Sequence, residues 1–182
     1  MSWQNTILLL VIALLAVFCE AAFSGPRYLI GAQIDLLPSL MVYAALFGGI
    51  STVSLLAVIG GLAFDSLSAN PLGVTVLPLF VVGLAIHVTR DLLLRDQTFA
   101  QVTLGVAASG IVPLLVLLLL FTKGRSPLVG WGTLWQLIVM SAAGAIATPV
   151  WVELFGWLNR TFVHARVSES SFRPDREIRR GR

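Results

Sequence analysis

Four ionisable side chains lie within or close to long uncharged stretches, and they are the first candidates for chemistry: Glu20, Asp65, His87 and Glu153. A carboxylate or imidazole at membrane depth is costly unless it finds partners inside the helix bundle, and it marks a functional site by default. Such groups also serve packing, when they bond one another or the free backbone at a helix end. Both interpretations stay open for each of the four.

Asp65 has the clearest sequence context of the four. It stands in residues 60–73, GGLAFDSLSANPLG, where a long uncharged run ends and the chain turns at Asn70 and Pro71. We expect a helix to end here, leaving backbone groups that need hydrogen-bond partners. This context favours a structural role for Asp65 over a role in a pocket.

Motifs for catalysis or metal binding do not occur in the sequence. His87 has no second His or Cys at metal-ligand spacing. The chain contains no G-x-S-x-G, no H-E-x-x-H and no phosphate-binding loop. The sequence therefore predicts no catalytic residue, no cofactor and no metal site.

The composition is that of an integral membrane protein. Of the 182 residues 57% are hydrophobic and only 12% are charged, whereas soluble domains carry about 25% charged residues. About 20 apolar residues suffice to cross the hydrocarbon core of a bilayer. Five uncharged runs of such length leave no room for a separate soluble domain: residues 1–19, 36–64, 66–89, 97–122 and 126–152.

The run 36–64 is too long for a single span. Its 29 residues would extend about 43 Å as one helix, well beyond a hydrocarbon core of about 30 Å. Gly48 and Gly49 supply a turn near its middle. We therefore predict an all-α bundle of six transmembrane helices in residues 1–158, at positions 5–23, 38–47, 52–67, 72–94, 99–121 and 133–158.

A basic tail is predicted from residue 159 onward. It holds seven of the twelve Lys and Arg residues, and cationic residues favour the cytoplasmic side of a membrane. We therefore expect a cytoplasmic C-terminus, and with six spans nine cationic residues lie inside and three outside. Five tail arginines are candidates for contact with anionic lipids or an acidic partner: Arg173, Arg176, Arg179, Arg180 and Arg182.

Small residues and prolines recur within the predicted spans. Gly105 and Ser109, like Gly144 and Thr148, lie four residues apart, a spacing that lets helix backbones approach closely in a membrane. Three prolines fall inside predicted helices and remove a helix hydrogen bond each: Pro78, Pro113 and Pro149.

Residues 35–83 resemble the MreD family, the membrane subunit of the bacterial rod-shape machinery. The resemblance rests on a proline-led short helix, a glycine pair, the GGLAFD sequence and the NPLG turn. The positions that match the family motif, which we also expect to serve helix packing, are Pro38, Gly60, Gly61, Asp65, Pro71, Gly73 and Gly83.

The resemblance implies a non-catalytic scaffold subunit of the cell-elongation complex in the bacterial inner membrane, without a cofactor. It implies a fold similar to the substrate-binding subunits of vitamin transporters. It also implies pairing with the single-span protein MreC, in a complex with MreB filaments, a RodA-type glycosyltransferase and a penicillin-binding transpeptidase that supports peptidoglycan synthesis and cell shape. Membrane lipids are further expected partners, and nucleic acid is not.

A second function from another class stays open. The same implied fold suits a solute-binding membrane subunit of an energy-coupling transporter, with Asp65, His87 and Glu153 as groups of a pocket. A vitamin-like ligand needs several converging polar groups within an apolar cavity. The spans offer few of these beyond the charges, so the scaffold is the preferred hypothesis.

Overall fold

The computed structural model describes residues 3–23, 31–68, 70–90, 98–124 and 130–163. In this part of the chain the fold is all-helical, with six helices and no strand, as the sequence predicts. The helices are α1 (Trp3–Ala22), α2 (Leu37–Phe47), α3 (Ile50–Leu67), α4 (Val76–Thr89), α5 (Thr98–Thr122) and α6 (Trp131–Val163).

Four of the helices are long and apolar enough to cross a membrane. They are α1, α3, α5 and residues 131–158 of α6, whose mean hydropathy lies between 1.7 and 2.6. The other two, α2 and α4, have 11 and 14 residues, which corresponds to about 16 and 21 Å of helix. The chain is thus a membrane protein with four span-length helices and two shorter apolar ones.

The long run 36–64 is divided at Gly48 and Gly49, as its length predicts. Gly48 ends α2 in an extended conformation, with its N–H donating to Ala44 O at 2.8 Å. Gly49 precedes α3, and its carbonyl accepts the N–H of Val53 at 3.1 Å. The chain therefore reverses within two residues.

Successive helices alternate in direction. Thr6 and Thr52, near the starts of α1 and α3, share a hydrogen bond of 3.1 Å between their hydroxyls. His87 near the end of α4 lies against Ala45 near the end of α2. Leu120 near the end of α5 and Gln136 near the start of α6 border one cavity together with Gln33, which precedes α2. One end of the bundle therefore contains the ends of α1, α3 and α5 and the starts of α2, α4 and α6, and we call it the polar end.

Helix α2 forms the centre of the core. Its residues 37–46 are all buried, and it packs against α1, α3, α4 and α5. Large apolar side chains project outward from the surrounding helices, among them Ile7, Phe18, Leu118 and Ile138. Helices that pack around a shared core and expose apolar side chains on the outside are expected in lipid.

The start of α4 differs from the prediction. The sequence predicts a helix over 72–94, whereas α4 begins at Val76 after a turn over 72–75, and residues 91–97 lie outside the described residues. Pro78 consequently lies in the first turn of α4, where its missing N–H costs no helix hydrogen bond. Pro113 and Pro149 do lie inside α5 and α6.

The chain divides into two compact units, residues 1–152 and 153–182. In the second unit the structure describes residues 153–163, the last part of α6, where Glu153 is exposed. The tail arginines singled out from the sequence lie outside the described residues: Arg173, Arg176, Arg179, Arg180 and Arg182.

Candidate functional site

Two glycines of the motif let α3 approach its neighbours. A Cβ atom on Gly60 would lie 2.9 Å from Leu37 Cδ1 of α2, and one on Gly61 would lie 2.9 Å from Val76 Cγ2 of α4. Real Cβ atoms do not come this close to other atoms. Both glycines therefore face the interior of the bundle rather than a groove on its surface.

Gly83 and Gly73 have different structural roles. A Cβ on Gly83 would meet Met41 Sδ at 2.6 Å and Val53 Cγ1 at 2.9 Å, so α4 contacts α2 and α3 here without room for a side chain. Gly73 has φ +85° and open space around it. It holds the turn before α4 in a backbone conformation that other residues adopt only with strain.

The two motif prolines mark helix boundaries. Pro38 is buried in the first turn of α2, where the missing N–H would have no partner within the helix. Pro71 follows the end of α3, and its carbonyl accepts the N–H of Val74 at 3.3 Å in the turn that contains Gly73. Together they set the starts of both short helices at the polar end.

Asp65 binds the start of α4 from the end of α3. Its Oδ2 accepts the Thr75 N–H at 3.1 Å and its Oδ1 accepts the Thr75 hydroxyl. Asp65 is 1% exposed and Thr75 is 2% exposed. An acidic group beside the free N–H groups of a helix start is stabilising, so this carboxyl closes the junction between two helices.

The start of α2 has carboxyl partners as well. Asp35 Oδ1 accepts the Leu37 N–H at 2.9 Å, and Glu20 Oε1, near the end of α1, accepts the Leu36 N–H at 2.7 Å. Asp35 lies in the segment between α1 and α2, outside the helices. Burial raises the pKa of Asp35 to about 6, and the hydrogen bond from Leu37 acts in the opposite direction.

Basic side chains lie at the opposite end of α2. His87 Nδ1 is 3.2 Å from Ala45 O, and Arg90 donates from Nη1 to Gly48 O at 2.7 Å. These carbonyls belong to the end of the helix, where the helix dipole favours positive charge. Helix α2 thus has acidic partners at its start and basic partners at its end.

A pair of amides joins the segment before α2 to the start of α6. Gln136 Oε1 accepts the Gln33 N–H at 2.9 Å, and Gln136 Nε2 donates to Gln33 O at 2.6 Å. The side chain of Gln136 therefore satisfies both backbone groups of Gln33 in a segment that has no helix bonds of its own.

Small residues bring α5 and α6 together. Cβ atoms on Gly105 and on Gly144 would collide with each other's carbonyl oxygen, and the Gly144 position also faces Ser109. Thr148, one turn further along α6, is fully buried and bonds Gly144 O at 2.9 Å. The small residues that lie four positions apart in the sequence are therefore the ones at which the backbones of α5 and α6 touch.

Two adjoining cavities open at the polar end. The larger, about 840 Å³, is bordered by the last turns of α1, the segment 33–36 and the last turns of α3. The smaller, about 230 Å³, lies between α5, the start of α6 and the segment 33–35. Gln33, Phe64 and Asn70 line both.

Of the four ionisable candidates, only Glu20 borders the larger cavity. Its Oε2 is buried and has no hydrogen-bond partner among the described residues. Asp65 is engaged with Thr75, and His87 lies at the other end of the bundle. Within the described ranges no three His, Cys, Asp or Glu side chains come together as metal ligands would.

Compared with known proteins, the chain matches no family model, no curated protein and no solved structure at a significant level.

Proposed function

We propose that the chain is a non-catalytic membrane scaffold subunit of the bacterial cell-elongation complex. The observation that carries the proposal is the segment 60–73 together with its structural use. Its glycines and its carboxyl join α3 to the short, proline-led α2 and to the start of α4. In the described residues, most polar groups bond the chain's own helices, and the outer surface is apolar. Such a surface is suited to binding the transmembrane segments of other proteins.

The proposal includes an orientation in the cytoplasmic membrane. The C-terminus is cytoplasmic, because seven of the twelve cationic residues follow residue 158. With six spans the polar end, including both cavities, then faces the extracytoplasmic side.

The apolar exterior is the surface available to partners. Exposed side chains such as Val11, Leu14 and Phe18 on α1 or Leu62 on α3 contact lipid or the helix of a single-span partner. Without a hydrophobic driving force in lipid, close packing decides such association. An MreC-like protein is the proposed partner on this surface, and the other wall-synthesis proteins join through the complex.

Affinity purification of the tagged full chain from a mild detergent, followed by mass spectrometry, tests the proposal. We expect an MreC-like single-span protein and wall-synthesis enzymes to be recovered. Recovery of a transporter ATPase and coupling subunit instead would overturn the scaffold assignment in favour of a solute-binding subunit.

A variant pair connects the assay to the structure. Gly61→Leu should disrupt the contact of α3 with α4, lower recovery of partners and make rod-shaped cells round. Gly132→Leu is the control, because nothing lies within 4 Å of a Cβ at that position. Normal cell shape with Gly61→Leu at normal protein levels would contradict the proposal.

A further inference from the structure

The larger cavity has the size and lining of a small-molecule site. Its volume of about 840 Å³ falls within the range of about 300–1,000 Å³ that is usual for ligand pockets. Apolar side chains form most of its wall, among them Ile12, Leu15, Phe64 and Leu67. Its polar lining residues include Glu20, Gln33, Ser68 and Asn70.

Glu20 gives this cavity its chemical preference. One carboxyl oxygen is held by the Leu36 N–H at 2.7 Å, which fixes the side chain. The other, Oε2, is buried without a hydrogen-bond partner in the part of the chain that the structure describes. A buried polar atom in a native protein normally has a partner, so the free oxygen points to a donor that binds from outside the described chain.

The charge around Glu20 selects a cationic donor. Within the described ranges, the residues that line the cavity include no Lys and no Arg. A buried carboxyl oxygen beside an apolar wall favours a ligand that carries positive charge at one end and hydrocarbon at the other.

We propose that this cavity binds an amphipathic primary amine, with the ammonium group on Glu20 Oε2 and the hydrocarbon part against the apolar wall. The ammonium group belongs either to the headgroup of an aminophospholipid or to a free alkylamine, and the chemistry of recognition is the same. The inference stands independently of the scaffold role, because it rests on the cavity and Glu20 alone.

Thermal unfolding of the full chain in a non-ionic detergent at neutral pH tests the site. The probes are octylammonium, octan-1-ol and octanoate at equal concentrations, which share a hydrocarbon part and differ in charge. Octylammonium should raise the unfolding midpoint most and octanoate least, since a ligand stabilises the folded state in proportion to its occupancy. Equal effects of octylammonium and octan-1-ol would overturn the proposal.

Two glutamate variants separate Glu20 from general charge effects. Glu20→Gln keeps an oxygen for the Leu36 N–H but removes the charge, and it should weaken octylammonium binding about tenfold or more. Glu153→Gln is the control, since Glu153 is exposed, and it should bind like the parent. An unchanged affinity in Glu20→Gln would refute the role of the carboxylate.

A third and a fourth variant keep the test decisive if Glu20→Gln folds poorly. Ala16→Leu narrows the cavity from its lining and keeps the carboxylate in the chain, and it should abolish the response to octylammonium. Arg27 lies outside the described residues and is removed by Arg27→Gln. If octylammonium stabilises only Arg27→Gln and not the parent, the chain's own arginine occupies Glu20 and the proposal fails.

The source of the amine is determined by native mass spectrometry of protein extracted from membranes. Phosphatidylethanolamine retained by the parent and lost from Glu20→Gln identifies a lipid headgroup as the ligand. Equal lipid retention in both proteins, combined with selective stabilisation by octylammonium, identifies a free amine. Both results support the site, whereas retention of phosphatidylglycerol in preference to phosphatidylethanolamine opposes it.

Discussion

The contact between Asp65 and Thr75 predicts a measurable energetic coupling between α3 and α4. Asp65 accepts the Thr75 N–H at 3.1 Å and also the Thr75 hydroxyl, and both residues are almost fully buried. Asp65→Ala would leave two buried donors unsatisfied, at about 1–3 kcal/mol for each. Thr75→Val removes only the hydroxyl and keeps the shape of the side chain.

The double variant isolates the hydroxyl bond. Hydrogen bonds between membrane helices average about 0.6 kcal/mol and reach about 1.7 kcal/mol. We therefore expect the loss of unfolding free energy in the double variant to fall short of the sum of the single losses by about 0.6–1.7 kcal/mol. This shortfall is the coupling that the contact predicts.

The assay is reversible unfolding by SDS in mixed micelles, followed by circular dichroism. Ser66→Ala is the matched control, because Ser66 is exposed and its hydroxyl bonds Ala63 O within α3 at 2.8 Å. It should change stability by less than about 0.5 kcal/mol and should add independently to Asp65→Ala. Additivity of Asp65→Ala and Thr75→Val within about 0.3 kcal/mol would refute the reasoning.

Three further predictions concern the glycines and Asp35. Gly83→Ala should lower the unfolding free energy by about 1–3 kcal/mol, because the new methyl group overlaps Met41. Gly132→Ala is the control: the space around Gly132 is open, so the unfolding free energy should change by less than about 0.5 kcal/mol. Equal unfolding midpoints of the two variants in SDS would contradict the packing argument. Gly73→Ala should lower the unfolding free energy in the same assay by about 1–2 kcal/mol, because Gly73 has a φ of +85°. A loss below about 0.3 kcal/mol would show that the turn adapts to the substitution. Because the pKa of Asp35 is raised, its contribution to stability is complete below the usual value of 3.8 and is lost as the pH rises through about 6. The thermal unfolding midpoint should therefore fall between pH 4 and 7.5, by an amount equivalent to at most about 3 kcal/mol. The fall should be smaller in Asp35→Asn, and an identical pH profile in that variant would refute the role of Asp35.

The number of helices was predicted from hydropathy and from the position of one glycine pair. The run 36–64 is too long for one span, and its glycine pair marks where it divides, so α2 and α3 follow from length and local turn chemistry. The start of α4 was predicted four residues too early. Residues 72–75 are apolar enough to continue a helix, but Gly73 adopts a positive φ there.

The partners of the acidic groups could not be predicted from the sequence. Glu20 and Leu36 are 16 residues apart and meet only because α1 and α2 share one end of the bundle. In the structure, neither Leu36 before α2 nor Thr75 before α4 makes a side-chain cap hydrogen bond. Short apolar helices without such caps need acceptors from elsewhere, and the few acidic residues at that depth are the available ones.

Helix α2 also implies an order of assembly. Its 11 residues extend about half the thickness of a hydrocarbon core, so a position among the spans leaves at least one of its ends where lipid offers no hydrogen bonds. Glu20 on α1 and the His87 and Arg90 pair at the end of α4 supply those bonds from other helices. The long helices can insert as independent spans, whereas α2 becomes stable in the bilayer only after α1 and α4 have met around it.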